Sequence, residues 1–130
     1  CLGGGVAAAI VASGCVGVIL DGPCTDVPEI EEYKLPVWCK GTSPITTRIY
    51  DNGGSFNVPI SVGGAVINPG DLVLADFSGV LIMSPSDAEA DVDCALAKMS
   101  VEFDGHKKML AGVKLGVLSG ASQKVESKLQ

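Results

Sequence analysis

The spacing of apolar residues changes near Pro85, and this change most constrains what the chain can fold into. Before it, short apolar stretches alternate with glycine, proline and aspartate, a pattern typical of short strands and tight turns. After it, apolar side chains recur every three or four residues, as they do on one face of a helix. The sequence therefore predicts a single α/β domain over residues 1–130, with a mixed β core flanked by helices and a C-terminal helical segment over residues 86–130.

Local signals place the individual elements. Apolar runs and capping residues predict helices over residues 7–12 and from Val27 to a point before Leu35. We expect a long amphipathic helix from Ser86 to Phe103 that breaks near Gly105, followed by a tail that ends in a polar helix or in disorder. The predicted strands are residues 16–20, 37–39, 46–50, 57–60, 64–67, 72–75 and 79–83.

Composition excludes several classes of function. The formal charge is −6 and Arg48 is the only arginine, so the surface would repel a nucleic-acid backbone. Charged, glycine or proline residues interrupt every apolar run, so no membrane-spanning helix is expected. The cysteines are odd in number, lack a Cys-x-x-Cys pair, and indicate a reducing compartment such as the cytoplasm: Cys1, Cys15, Cys24, Cys39 and Cys94.

Three segments, in order, carry a family resemblance. Residues 14–26 hold an apolar strand that ends in an Asp-Gly loop and leads to Thr25-Asp26. Residues 35–44 hold a Leu-Pro-Val-Trp strand and a Gly-x-x-Pro loop. Residues 57–85 hold the most specific part, which includes Asn-Val-Pro-Ile, Val-Gly-Gly and Pro-Gly-Asp. Together they resemble the RraA-like family, which contains the regulator of ribonuclease activity A and the metal-dependent pyruvate aldolases.

The resemblance implies a swivelling-type α/β fold, assembly as a homotrimer or hexamer, and an active site between neighbouring subunits. Because the chain starts where family members are near their middle, we expect the N-terminal half of the fold to be missing. Aldolases of the family cleave 4-hydroxy-2-oxo acids to pyruvate, and many decarboxylate oxaloacetate. Both reactions use Mg²⁺ or Mn²⁺ to stabilise negative charge on the pyruvate portion.

By the resemblance, Asp26 is the catalytic residue and the protein ligand of the metal. Mg²⁺ keeps several waters, so one direct carboxylate can suffice. The sequence also allows a structural role, because Asp26 and Glu29 have the spacing of a cap at the start of the second helix. Both interpretations of Asp26 stay open at this point.

Thr25 stands where family members have an arginine that grips the substrate carboxylate. A neutral hydroxyl in that place should cost substrate binding on the order of 2 to 4 kcal/mol. Gly4 stands where many members place an acidic residue that holds metal-bound water. The amides of Gly5 and Val6 are predicted to open the first helix and to hold a substrate carboxylate, unless the three glycines form a flexible chain end.

Other polar residues are expected to have ordinary roles. Asp71 and Asp76 fit turns, and Asp21 is a minor pocket candidate. His106 fits a solvated helix face, and Arg48 fits the surface. Three functions are therefore compatible with the sequence: a weakened aldolase or decarboxylase that takes a small 2-oxo acid, a non-catalytic regulator that docks on a partner protein, or a scaffold subunit without a site.

Overall fold

The computed structural model describes residues 1–48 and 50–129 and has mixed helix and strand content. The chain divides into two compact units, Cys1–Pro85 and Ser86–Gln130. The elements are α1 (Gly4–Ala12), β1 (Val18–Ile19), α2 (Val27–Glu32), β2 (Val37–Trp38), β3 (Ile60–Val62), β4 (Ala65–Ile67), β5 (Leu72–Asp76), β6 (Gly79–Met83), α3 (Pro85–Leu110), α4 (Leu115–Leu118) and α5 (Ala121–Glu126).

The core of the first unit lies between α1, α2 and the β1–β2 pair. Side chains widely separated in the sequence meet there because each element has an apolar face that only the others can cover. Complete burial of a leucine or isoleucine side chain contributes about 1.5–3 kcal/mol. The buried core residues are Leu2, Ala7, Cys24, Ile30 and Leu35.

The strands form three separate pairs. β1 and β2 are parallel, with Val18 opposite Val37. β3 and β4 form a hairpin around Gly63-Gly64, both with positive φ, which the tight two-residue turn requires. β5 and β6 form a second hairpin. β6 was predicted with its observed bounds, whereas β1 is shorter than predicted because only Val18 and Ile19 find a parallel partner.

The predicted strand over residues 46–50 is wrong for its described residues. Residues 46–48 and 50 are irregular, and Ile49 lies outside the described residues. Residues 43–59 contain several turn-forming residues and pair with no neighbouring strand in the described structure, so β propensity alone does not produce a strand there.

The second unit is helical. α3 runs through Gly105 to Leu110, so the predicted break near Gly105 is wrong. A single interior glycine costs a helix only about 1 kcal/mol. An ion pair between Asp104 and Lys108 and a 3.7 Å contact between Glu102 and His106 span this turn. Within the described residues, no helix has the length and apolarity needed to cross a membrane.

Candidate functional site

The candidate site is built on three chain segments that lie side by side. Leu2 pairs with Cys24, and Cys24 pairs with Thr42, both as parallel bridges. The amide of Thr25 donates to the carbonyl of Leu2 at 2.8 Å, and the amide of Ser43 donates to the carbonyl of Cys24 at 2.8 Å. These bonds hold the start of α1 next to the loop that leads into α2.

Asp26 occupies the N-cap position of α2 but does not cap it. Its backbone is left-handed (φ 55°, ψ 41°), and its side chain makes no capping bond to α2. Its Oδ2 instead accepts a hydrogen bond of 3.0 Å from the amide of Gly4, at the start of α1. The capping role considered from the sequence is therefore wrong for α2, because the left-handed conformation turns the carboxylate toward another helix. Such backbone strain persists where the surrounding structure requires it, often at functional sites.

Thr25 holds the other oxygen of the same carboxylate. Its hydroxyl donates to Oδ1 of Asp26 at 3.2 Å. A Cβ atom on Gly3 would lie 3.0 Å from Oδ2 of Asp26 and 3.2 Å from Cγ2 of Thr25. The predicted residues Gly4, Thr25 and Asp26 therefore meet at one point, and Gly3 is needed for the close approach.

Glu29 belongs to the candidate site, although its sequence pattern indicated only a helix cap. A Cβ atom on Gly4 would lie only 1.7 Å from Oε2 of Glu29, so the glutamate side chain occupies the space that a side chain at position 4 would fill. Two carboxylates therefore flank the N-terminus of α1, where the helix dipole favours negative charge. The sequence carried a signal for this arrangement, since the family resemblance implies an acid where Gly4 stands and Glu29 lies in the second helix.

The first turn of α1 begins at Gly4, earlier than the predicted start at residue 7. Gly5 and Val6 are exposed and lie within this turn, so their amides are among the first amides of α1; that they hold a substrate carboxylate stays a prediction. An α-helix leaves its first amides without an acceptor in the helix. The amide of Gly4 binds a carboxylate of the protein itself, whereas Gly5 and Val6 lie beside it on the exposed side.

The other candidates lie apart from this cluster. Asp21 forms an ion pair with Lys40 at 2.5 Å, and the hydrogen bond from Lys40, helped by the amide of Gly63, lowers the pKa of the Asp21 carboxyl. The pair lines a cavity of about 280 Å³ next to β1 and β2. Arg48 is exposed in the irregular segment.

The ordinary roles predicted for three residues are confirmed. Asp71 accepts from the amide of Asn68 at 2.7 Å, and Asp76 accepts from the amide of Ser78 at 2.7 Å, so both carboxylates stabilise turns. His106 pairs with Glu102 one helical turn away and is about half exposed. Neither turn carboxylate contributes to the cluster around Asp26.

Comparison with known proteins gives the family. Residues 1–82 match the family described as "RraA-like: Aldolase/RraA". The chain belongs to this family. It is 36% identical over 98 residues to a Halalkalibacterium halodurans protein named "Putative 4-hydroxy-4-methyl-2-oxoglutarate aldolase", covering 75% of the chain and 46% of the relative. It is 33% identical over 85 residues to a Shewanella oneidensis protein of the same name, covering 65% of the chain and 51% of the relative.

Solved structures agree with the RraA-like fold. Streptomyces coelicolor RraAS2, described as an unusual member of the RNase ES inhibitor RraA protein family, matches with a TM-score of 0.71 and 31% identity, covering 82% of the chain and 54% of that protein. An uncharacterized Pseudomonas syringae protein matches with a TM-score of 0.77 and 23% identity. The match covers 92% of the chain and 60% of that protein, and it supports the fold alone. The chain spans about half the length of the curated relatives it matches.

Proposed function

We propose that this RraA-like chain has a divalent-metal site at Asp26 and acts on small 2-oxo acids, by cleaving 4-hydroxy-2-oxo acids or decarboxylating oxaloacetate. The supporting observation is the orientation of Asp26, whose carboxylate is turned away from α2 and held at the start of α1. Relatives named as aldolases of 4-hydroxy-4-methyl-2-oxoglutarate support the substrate class.

The residues around Asp26 fit a cation that keeps most of its water. Among the described residues there is no group of three or more His, Cys, Asp or Glu side chains that could enclose a metal ion. Mg²⁺ needs no such group, because it is usually bound through one or two carboxylates and several waters. Each oxygen of Asp26 accepts one hydrogen bond and keeps a further lone pair. Glu29 offers a second carboxylate at the same helix end.

The charges at this site favour a cation over an anion. Asp26 and Glu29 are acidic, and Thr25 contributes only a neutral hydroxyl. An oxo acid would therefore be repelled until a divalent cation is present. When bound, that cation would act as a Lewis acid and offset the negative charge that develops on the oxo acid. Thr25 and the amide of Gly4 hold the carboxylate of Asp26 in place, so less ordering is needed when the cation binds.

The position of Thr25 gives the sharpest test. We expect Thr25→Arg to give or increase Mg²⁺-dependent pyruvate release from oxaloacetate and 4-hydroxy-4-methyl-2-oxoglutarate, mainly through a lower KM. The reason is that a charged contact present in both ground and transition states acts as uniform binding. Adding Asp26→Ala should abolish the gain.

Thr47→Arg is the matched control, because it adds the same charge in the exposed irregular segment. It should leave pyruvate release unchanged. If Thr25→Arg folds normally but neither binds oxalate better nor releases pyruvate, the enzymatic proposal is wrong.

A second candidate function is regulation by docking on a partner protein. The charge of −6 favours a basic partner. One structural relative belongs to a family of RNase inhibitors. The test compares the parent chain and the Asp26→Ala chain as inhibitors of an RNase E-type ribonuclease. If Asp26→Ala inhibits as well as the parent chain, docking is supported. If it loses both inhibition and metal binding, docking is opposed.

We also propose assembly as a homotrimer or hexamer, in the cytoplasm. The apolar face of α3 supports assembly, since Val92, Leu96 and Met99 are all about half exposed. The free thiols of the described chain suit a reducing compartment. A monomer by light scattering at micromolar concentration would contradict the assembly.

A further inference from the structure

Two thiols from different segments meet in the first unit. Cys39 Sγ lies 3.6 Å from Cys24 Sγ and 3.2 Å from the carbonyl oxygen of Gly41. Cys24 is 6% exposed, in the core beside Leu2 and Ile30. Cys39 is half-buried and follows β2 directly. The two thiols come together although fourteen residues separate them.

Backbone hydrogen bonds on both sides of the pair fix this contact. The amide of Cys24 donates to the carbonyl of Gly41 at 3.0 Å, and the amide of Lys40 donates to the carbonyl of Gly22 at 2.9 Å. Bonded disulfide sulfurs are about 2.0 Å apart, so the two sulfurs need to approach by about 1.6 Å. Side-chain rotation and small backbone shifts can provide an approach of this size.

A cavity large enough for a small oxidant lies beside one of the two cysteines. The cavity of about 280 Å³ that contains Asp21 and Lys40 is also lined by Cys39. This volume is several times the roughly 30 Å³ that one water molecule occupies in the liquid, so hydrogen peroxide fits. Cys24 does not line this cavity.

We propose that Cys24 and Cys39 form a modification site in which hydrogen peroxide converts the two thiols into one disulfide. The Cys39 thiolate attacks one peroxide oxygen, the O–O bond breaks, and the departing hydroxide takes up a proton to become water. This leaves a sulfenic acid on Cys39. Cys24 then loses its proton and attacks the Cys39 sulfur, the S–O bond breaks, and a second water leaves. Two electrons pass from the sulfurs to the peroxide.

The environment assigns the two roles. Cys24 is 6% exposed and lies in the core, so the protein itself shields its sulfur from an oxidant until Cys39 has been oxidised. Cys39 is the accessible sulfur and reacts first.

The disulfide would act on the site around Asp26 because Cys24 directly precedes Thr25. Cys24 pairs with Leu2, which lies two residues before Gly4. A shift of Cys24 would therefore move Asp26 through Thr25 and Gly4 through Leu2. Both movements would change the 3.0 Å hydrogen bond from the Gly4 amide to Oδ2 of Asp26. This effect on metal binding rests on the proposed function, whereas formation of the disulfide does not.

The experiment uses the full chain with Cys1, Cys15 and Cys94 changed to serine. After one equivalent of hydrogen peroxide, thiol titration should show the loss of both remaining thiols, and peptide mass mapping should show Cys24 joined to Cys39 within one chain. Dithiothreitol should restore both thiols. Adding Cys39→Ser should leave the Cys24 thiol intact. Two surviving thiols, separate sulfinic acids or a disulfide between chains would overturn the proposal.

Mn²⁺ binding, followed by electron paramagnetic resonance, tests the effect on the site. Oxidation should weaken binding by about tenfold, the scale of changes around metal ligands, and dithiothreitol should reverse it. If the oxidised and reduced chains bind Mn²⁺ with equal affinity, the proposed effect of the disulfide on the metal site is wrong. A reduced chain that binds no Mn²⁺ would count against the proposed function, while the thiol measurement still decides the disulfide.

Discussion

The two compact units of the chain hold their elements in different ways. In Cys1–Pro85, buried side chains from α1, α2 and the loops between them form a shared core. In Ser86–Gln130, none of the described helical residues is buried, and the side-chain contacts Glu102–His106 and Asp104–Lys108 join residues four positions apart. The first unit depends on contacts between distant segments, whereas the helices of the second depend on local bonds. Apolar residues alone therefore do not indicate where a core forms.

The largest expected difference between the units comes from removing apolar side chains. Ile30→Ala, in the core, should lower the free energy of unfolding by about 2–5 kcal/mol because it leaves a cavity. Leu96→Ala, at a site that is 53% exposed in α3, should change it by no more than about 0.5 kcal/mol. Urea unfolding at a concentration where the chain is monomeric measures both. Equal losses would show that α3 is covered within one chain.

The next effect concerns Asp26, whose carboxylate bonds the first amide of α1. Asp26→Ala should lower the free energy of unfolding by about 1–2 kcal/mol. The hydrogen bond to the first amide of α1 is lost, and alanine tolerates the left-handed backbone poorly. Asp91→Ala, on the exposed surface of α3, is the control and should be nearly neutral. Urea unfolding of both variants gives the comparison. A neutral Asp26→Ala would mean that the contact with Gly4 contributes no net stability.

A smaller effect is expected where Glu29 covers Gly4. Gly4→Ala should gain helix propensity but displace the Glu29 carboxylate, so the two effects should nearly cancel. In a Glu29→Ala background only the Cβ of residue 29 stays close, at 3.2 Å, so the same change should be more favourable than in the parent chain. A double-mutant cycle in urea measures the coupling. Additive changes would contradict the overlap of the two side chains.

The smallest effect concerns pH. Lys40 lowers the pKa of Asp21, and Lys108 lowers the pKa of Asp104. A carboxyl whose folded pKa is lowered contributes stability above its unfolded pKa, near 3.9, and loses it as pH falls through the folded pKa. Both contributions should disappear in strongly acidic solution, and both should weaken with salt because the groups are exposed.

NMR titration of the side-chain carboxyl carbons should show both lowered pKa values. Lys40→Gln should return only the pKa of Asp21 toward its ordinary value, and Lys108→Gln only that of Asp104. A change in both carboxyls from either substitution would contradict independent pairs.

Local features were predictable from the sequence, and distant contacts were not. The Gly63-Gly64 turn and the turn carboxylates of Asp71 and Asp76 follow from residues adjacent in the chain. The choice of Asp26 as a site residue came from family resemblance. Its direction could not be predicted, because its partner Gly4 lies 22 residues away.

Two other contacts in the first unit could not be predicted from the sequence for the same reason. The overlap of Glu29 with Gly4 and the contact between Cys24 and Cys39 depend on how separate segments are packed. The continuation of α3 through Gly105 was missed for the opposite reason. One glycine is a local helix-breaking signal, but the many helix-favouring residues around Gly105 outweigh its cost.

One contact provides an optical signal for the first unit. Trp38 is the only tryptophan, and its indole N–H donates to the carbonyl of Asp76 at 2.8 Å, which links β2 to the end of β5. If the β5–β6 hairpin separates from β2, the indole loses this partner and meets water, so its emission should shift to longer wavelength. Tryptophan fluorescence therefore reports on that junction within Cys1–Pro85, and the helices of the second unit contribute no tryptophan signal to obscure it.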